Sequence, residues 1–281
     1  MTLIRLFYCL CTLFSSVSVF AQNSLDIFQI GSVVRIEKLM NISGKVSGTV
    51  TQMSLSGATD LQEKKYYDVK VLEKNGLSFS KIEVFISEDS EEQKMNMVVA
   101  GRPNNENNNL SSPLKGLTVV CTNTNGMWEK SLLDVENPTE EQLNELNFFD
   151  IPVQNTVDFS KLPKSIKPGY IWNIQKEESL ELFGNKDNPF KDGSLKLKLK
   201  KEINNNIEVG YLWDATLTSK GKNVDNEGMN VNVILKGTMV MTNKNFIMDL
   251  KGPVTIRTKQ PDLDMTLKGP LSMSWKKYQI K

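Results

Sequence analysis

The chain has 281 residues, with 34 Lys and Arg against 33 Asp and Glu and no histidine. This balance lacks the basic excess by which proteins hold nucleic acid or an anionic membrane through counterion release. The missing imidazoles remove Ser-His-Asp and Cys-His nucleophiles and the common histidine metal sites.

The first 21 residues read as a cleavable secretory signal. Arg5 supplies the positive start, Leu6 to Phe20 carries no charge, and Val19-Phe20-Ala21 offers a small-residue exit. The uncharged run is shorter than the roughly 20 apolar residues of a membrane span. Cys9 follows Tyr8 and Cys11 follows Leu10, so neither has the small preceding residue of a lipoprotein signal. Cleavage before Gln22 removes one arginine and no acid and leaves a formally neutral chain. It also leaves a single cysteine, Cys121, so no intramolecular disulfide can form. Cys121 lies in the apolar run from Leu117, which reads as a buried, inert thiol. These features predict an exported protein, periplasmic or extracellular, with no transmembrane segment after cleavage and no nucleic-acid partner.

Beyond the leader, period-two alternation dominates and helical periodicity is rare. The even positions from Val34 to Val50 are mostly apolar, which predicts a long strand whose Gly44 and Gly48 permit a bend. Tyr67 to Val71 and Ile82 to Ile86 alternate about Asn75-Gly76, and Leu117 to Thr122 and Met127-Trp128 flank Asn125-Gly126. Both Asn-Gly pairs predict hairpins, because these residues tolerate positive φ. Gly101 to Pro113 has almost nothing to bury and reads as a loop. The sequons at Asn41 and Asn109 are weak signals in so Asn-rich a chain.

One helix is predicted over 138–149, with Asn137 as the cap, Pro138 at its first position, and Leu143, Leu146 and Phe149 on one face. The domain reading is therefore a signal over 1–21, an amino-terminal β part over 22–136, a helix and connector over 137–168, and a carboxyl-terminal antiparallel β meander over 169–281. The two β parts are compatible with one domain. The fold class is mainly β: curved antiparallel sheets, sandwich-like or half-barrel-like, with one short helix.

The clearest pattern lies near the carboxyl end. Leu195, Leu197 and Leu199 alternate with lysines, and Ile207 to Trp213 returns after Asn204 to Asn206. Three longer runs follow, 229–241, 246–256 and 263–275, each with Leu-Lys-Gly near its middle at 235–237, 250–252 and 267–269. Alternation keeps its parity through every glycine, so each run reads as one strand with glycine on its apolar face, where a sheet can curl. Pro253 and Pro270 fall in the polar register and remove ladder donors, implying irregular pairing or an edge.

The functional question is what covers the apolar face. It is either an ordinary core, closed by the rest of the chain, or a concave surface for a lipid or other apolar ligand. The candidate ligand-binding residues are Met229, Val231, Val233, Met239, Met241, Met248, Met265 and Met273; methionine adapts to varied apolar partners. An outer-membrane barrel also uses alternating strands behind a leader, but this chain lacks aromatic girdles at its strand ends.

No catalytic or metal constellation emerges. Ser78 to Lys81 matches Ser-x-x-Lys but falls on a predicted strand, with no Lys-Thr-Gly after it. Asp187 to Gly193 and Asp225 to Gly228 lack the alternating oxygen ligands of an EF-hand and read as turns. No cofactor is implied. The segment Leu162 to Trp172, with Lys167-Pro168-Gly169 before Trp172 and the strands that follow, resembles bacterial exported β-rich domains of unknown function. It departs from their pattern at Tyr170-Ile171, where an acidic residue is expected. The resemblance implies a cell-envelope β protein and supplies no catalytic residues. The reading is a noncatalytic envelope protein that binds an apolar ligand in a concave sheet. The alternative is a structural or interaction domain with a closed core that contacts an envelope protein partner.

Overall fold

The computed structural model describes residues 28–75, 78–124, 126–149, 151–152, 162–163, 165–175, 192–204, 208–222 and 230–280. The leader, Met229 and both calcium-loop-like turns lie wholly or largely outside the described residues.

Among the described residues, twelve strands form one antiparallel sheet. They are β1 (Val33–Val50), β2 (Met53–Asn75), β3 (Ser78–Val99), β4 (Arg102–Ser111), β5 (Thr118–Thr124) and β6 (Met127–Leu132) in the first half. The second half supplies β7 (Ile171–Gln175), β8 (Asp192–Asn204), β9 (Val209–Lys222), β10 (Asn230–Thr242), β11 (Asn245–Gln260) and β12 (Leu263–Gln279). Their order is β6-β5-β3-β2-β1-β12-β11-β10-β9-β8-β7, with β4 on the far part of β3. The sheet is not closed, since β6 and β7 end the path. It is therefore a curved open sheet rather than a closed barrel. The seam between the halves is the β1–β12 ladder, which runs from Val34↔Gln279 to Val50↔Leu263.

Alternation decides which side chains face inward. On β12, Leu263, Met265, Leu267, Leu271, Met273 and Trp275 are all buried, and the same parity holds along β10 and β11. Inward residues from both halves form one cluster with Leu146, Phe149, Ile151 and Ile166. Burying an aliphatic side chain contributes about 1.5–3 kcal/mol, so these rows supply the principal stabilisation.

The glycines act laterally. A Cβ on Gly269 would lie 1.8 Å from the Ser43 carbonyl oxygen, and one on Gly252 would lie 2.0 Å from that of Ile234. Those two carbonyls face Pro270 and Pro253, which have no N–H to offer. The β1–β12 ladder accordingly skips from Ile42↔Leu271 to Lys45↔Lys268, and the β10–β11 ladder from Val233↔Val254 to Lys236↔Lys251. Each carbonyl lies close against the neighbouring glycine, as the Asp249 carbonyl does against Gly237 and the Met241 carbonyl against Gly210 with no proline opposite. The prolines thus mark irregular pairing inside the sheet, where Pro253 and Pro270 sit opposite each other, and not an edge.

Three local expectations are corrected. Arg102–Ser111 is a strand, not a loop: it pairs with Ser90–Val99 across a turn with positive φ at Ala100 and Gly101. Its residues are mostly exposed, so backbone pairing and not burial holds it. Helix α1 (Glu140–Phe148) is capped by Thr139 rather than Asn137, in a capping box with Gln142. Leu143 is exposed, while Leu146 and Phe149 are buried. Lys130 closes the other helix end by donating to the Asn147 and Phe149 carbonyls. The hairpins about residues 75–78 and 124–127 form as expected, with Asn75↔Ser78 and Thr124↔Met127 as the closing pairs.

Candidate functional site on the inner face of the sheet

Reading across the strands, rather than along them, reveals how the inner face is organised. One continuous row runs Leu199 (β8), Trp213 (β9), Met239 (β10), Met248 (β11), Trp275 (β12), Lys38 (β1), Lys65 (β2) and Asp89 (β3). Neighbouring strands lie about 4.8 Å apart, so the apolar stretch from Leu199 to Trp275 spans roughly 19 Å. Beyond Trp275 the row becomes charged. A flanking row runs Met241, Phe246, Lys277, Ile36 and Tyr67, and the other runs Leu250, Met273, Met40, Glu63 and Glu91. The row through Trp275 is thus apolar on β8–β12 and charged on β1–β3, while most other inward residues of β1–β3, such as Ile36, Ile42, Leu61, Val69 and Val84, are buried and apolar.

The ionic zone arises because polar residues occupy inward positions. Lys38 shares the parity of Ile36 and Met40, and Lys277 that of Met273 and Trp275. On β3 a bulge at the Tyr66/Tyr67 register shift moves the inward parity from Ile82, Val84 and Ile86 to Asp89, Glu91, Gln93, Met95 and Met97. Lys65 and Glu63 pair at 2.7 Å. Burial lowers the Lys65 ammonium, but Glu63, Tyr67 and Asp89 outweigh it and hold the group well above the ordinary lysine value. Burial pushes the Asp89 carboxyl up to about 6, opposed by Lys65 and reinforced by Glu63 and by Glu145 of α1. Lys277 is wholly buried, with its ammonium 5.8 Å from the Phe246 ring centroid and 5.6 Å from that of Trp275. Burial and the nearby Lys38 charge hold it well below the ordinary lysine value. Lys38 stands 5.2 Å from the same Trp275 ring.

Four buried polar atoms on this face find no hydrogen-bond partner among the described residues: the indole nitrogens of Trp213 and Trp275 and the hydroxyls of Thr59 and Thr258. Buried polar groups in finished cores are nearly always paired, and an indole N–H can only donate.

Of the expected ligand-contacting residues, Val231, Val233, Met239 and Met241 lie inward on β10, Met248 on β11, and Met265 and Met273 on β12. All are at most 9% exposed. Met239 and Met248 are direct neighbours between the two tryptophans. Met241, Met273 and Met265 fall in other rows, and Met229 lies outside the described residues. Pattern reasoning passed over Lys38, Glu63, Lys65, Asp89 and Lys277. Their signal was available as charged residues at apolar parity, but the β3 bulge hid the parity of Asp89. Among the described residues no group of three or more acids and cysteines could hold a metal. No described helix is long and apolar enough to cross a membrane.

No protein-family model matches the chain, and no curated protein matches it. Two solved structures are similar at low level. A structure of lipid–protein interactions in lipovitellin aligns with 90% of this chain at 10% identity and a TM-score of 0.34. The chain spans about a quarter of the lipovitellin chain, the alignment covering 25% of it. A β-barrel-like protein of a domain of unknown function from Brucella abortus aligns with 90% of this chain and 100% of its own, at 8% identity and a TM-score of 0.17.

Proposed function

We propose that this is an exported, noncatalytic envelope protein that binds an amphiphilic ligand along the inner face of its sheet. The apolar end lies over Trp213, Met239 and Met248, and the polar end reaches Trp275 and the lysines beyond. The carrying observation is the pair of unpartnered buried indole nitrogens, Trp213 and Trp275, at the two ends of the apolar row through Met239 and Met248. Burial of the methionine and leucine rows alone is what any core requires. A dry core gains nothing from two indole donors without acceptors, each of which costs about 1–3 kcal/mol. Export rests on the charged start, apolar middle and small-residue exit of residues 1–21.

The test is native mass spectrometry and organic extraction of the protein purified after export with its own leader, followed by titration with a fluorescent fatty-acid probe. Extractable amphiphile in near-stoichiometric amount, or saturable probe binding, supports the reading. A ligand-free protein that ignores the probe overturns it and leaves the structural or interaction domain. Intact mass beginning at Gln22 tests export, and a retained Met1 contradicts it.

A further inference from the structure

We infer that the free edge of β4 pairs with β4 of a second copy of this chain, joining two sheets edge to edge about a two-fold axis at Asn107. The register of β4 decides which backbone groups are on offer. Ser112 donates its N–H to the Asp89 carbonyl, in step with the ladder from Ser90↔Ser111 to Val99↔Arg102. Even-numbered residues of β4 therefore bond to β3, and the odd ones, Pro103, Asn105, Asn107, Asn109 and Ser111, turn their backbone groups outward. No other strand among the described residues pairs with that edge, and Asn105, Asn107, Asn109 and Ser111 are exposed. Pro103 fits this register, because its missing N–H falls on the outward side and costs the ladder nothing.

Edges of this kind are normally blunted by shortness, lysine or a bulge. The strands that end the sheet path, β6 and β7, have six and five residues. β4 has ten, carries no lysine and follows a ladder without a register shift. Its side chains are also self-complementary. Asn104 and Glu106 pair with the buried Met97 and Met95, so the odd residues place theirs on the outer face, mostly as a row of amides. An amide both donates and accepts, so the row can face its own copy across a two-fold axis, which a row of like charges cannot. Outward-facing residues must oppose one another, so odd positions meet odd positions. Of the two registers that overlap the strand most fully, one centres on Glu106 and sets two carboxylates face to face, which is unfavourable. The other centres on Asn107, with Asn105 opposite Asn109, Pro103 opposite Ser111, and Glu106 opposite Asn108. The N–H groups of Asn105, Asn107, Asn109 and Ser111 then all meet carbonyls, and Arg102 enters, through Ser112, the row of the other copy's Asp89.

The experiment is sedimentation velocity of the full exported protein at about 1–100 μM, where micromolar association is resolved, with cysteine cross-linking to read the register. The protein should sediment as a dimer at the upper concentrations. Asn107→Pro removes the N–H at the axis without touching the β3 ladder. It should weaken association about thirtyfold through loss of both central hydrogen bonds, with unaltered far-ultraviolet circular dichroism, while Asn107→Thr keeps the N–H and should remain dimeric. Asn107→Cys should form a disulfide-linked dimer on mild oxidation, because facing residues of a hydrogen-bonded pair lie about 5.5 Å apart, within disulfide reach. Asn105→Cys should not, since its two copies are offset by four positions along the strands, about 13 Å. Cys121 is buried and stays out of both reactions. A monomer throughout the range would overturn the pairing and leave the edge to a strand of a different protein. A dimer that Asn107→Pro leaves intact would place the interface elsewhere and overturn it too. Cross-linking of Asn105→Cys as readily as Asn107→Cys would overturn the axis at Asn107.

Discussion

Replacing Gly269 by alanine attacks the seam between the two halves of the sheet. The added Cβ would sit 1.8 Å from the Ser43 oxygen and 2.5 Å from the Gly44 Cα, both backbone atoms that cannot swing aside. A carbon–oxygen contact normally needs about 3.3 Å, so β1 and β12 must part locally by roughly 1.5 Å. That separation breaks ladder bonds on either side, at Ile42↔Leu271 and Lys45↔Lys268. Two lost hydrogen bonds at about 1 kcal/mol each, with loosened packing of Ile42, Leu267 and Leu271, give a cost of about 3–4 kcal/mol. Gly126→Ala is the control, because nothing lies within 4 Å of its Cβ position and only its φ of 87° resists a side chain. It should cost about 1–2 kcal/mol. Urea denaturation followed by circular dichroism compares the two. A Gly269→Ala midpoint no lower than that of Gly126→Ala would refute the close-approach reasoning.

Asp89→Asn should stabilise the protein at pH 7. The native carboxyl has its pKa raised from 3.8 to about 6, so the native state binds more protons than the unfolded one across that window. Stability therefore falls as pH rises from about 4 to about 6, and the substitution recovers on the order of 2 kcal/mol at neutral pH; an unchanged pH–stability profile in the variant would contradict this. Cys121 is fully buried, and burial pushes its thiol up to about 12. It should resist alkylation by iodoacetamide at pH 8 until denaturant is added, and native labelling at the rate of a free thiol would contradict it. Thr139→Ala removes the helix cap and should cost about 1 kcal/mol in the same denaturation assay, an unchanged midpoint counting against the cap.

The strands were legible in the sequence wherever one face is apolar and the other polar. Val33–Val50 and the three glycine-bearing strands announce themselves by parity, and Asn-Gly pairs mark two of the hairpins. What escaped was structure held by the backbone alone. Arg102–Ser111 buries almost nothing, and the turn between β1 and β2 uses Thr51 and Gln52 at positive φ, where residue type gives no warning. The role of the glycines was half visible. Their place on the inner face was clear, but the close approach that demands them comes from a neighbouring strand's carbonyl, which no single strand reveals. The same holds for the candidate site. The methionines are visible as a pattern along strands, whereas the row from Leu199 to Asp89 exists only across them.

The most direct test of the central claim uses the tryptophans on the inner face. With Trp128 and Trp172 replaced by phenylalanine, the remaining emission comes from Trp213 and Trp275. Titration with a fatty acid brominated along its chain should quench that emission saturably, because bromine within the row lies in contact with both rings. The unbrominated acid should compete and restore it. Emission that stays constant while the brominated acid is demonstrably bound would place the ligand elsewhere and contradict the account.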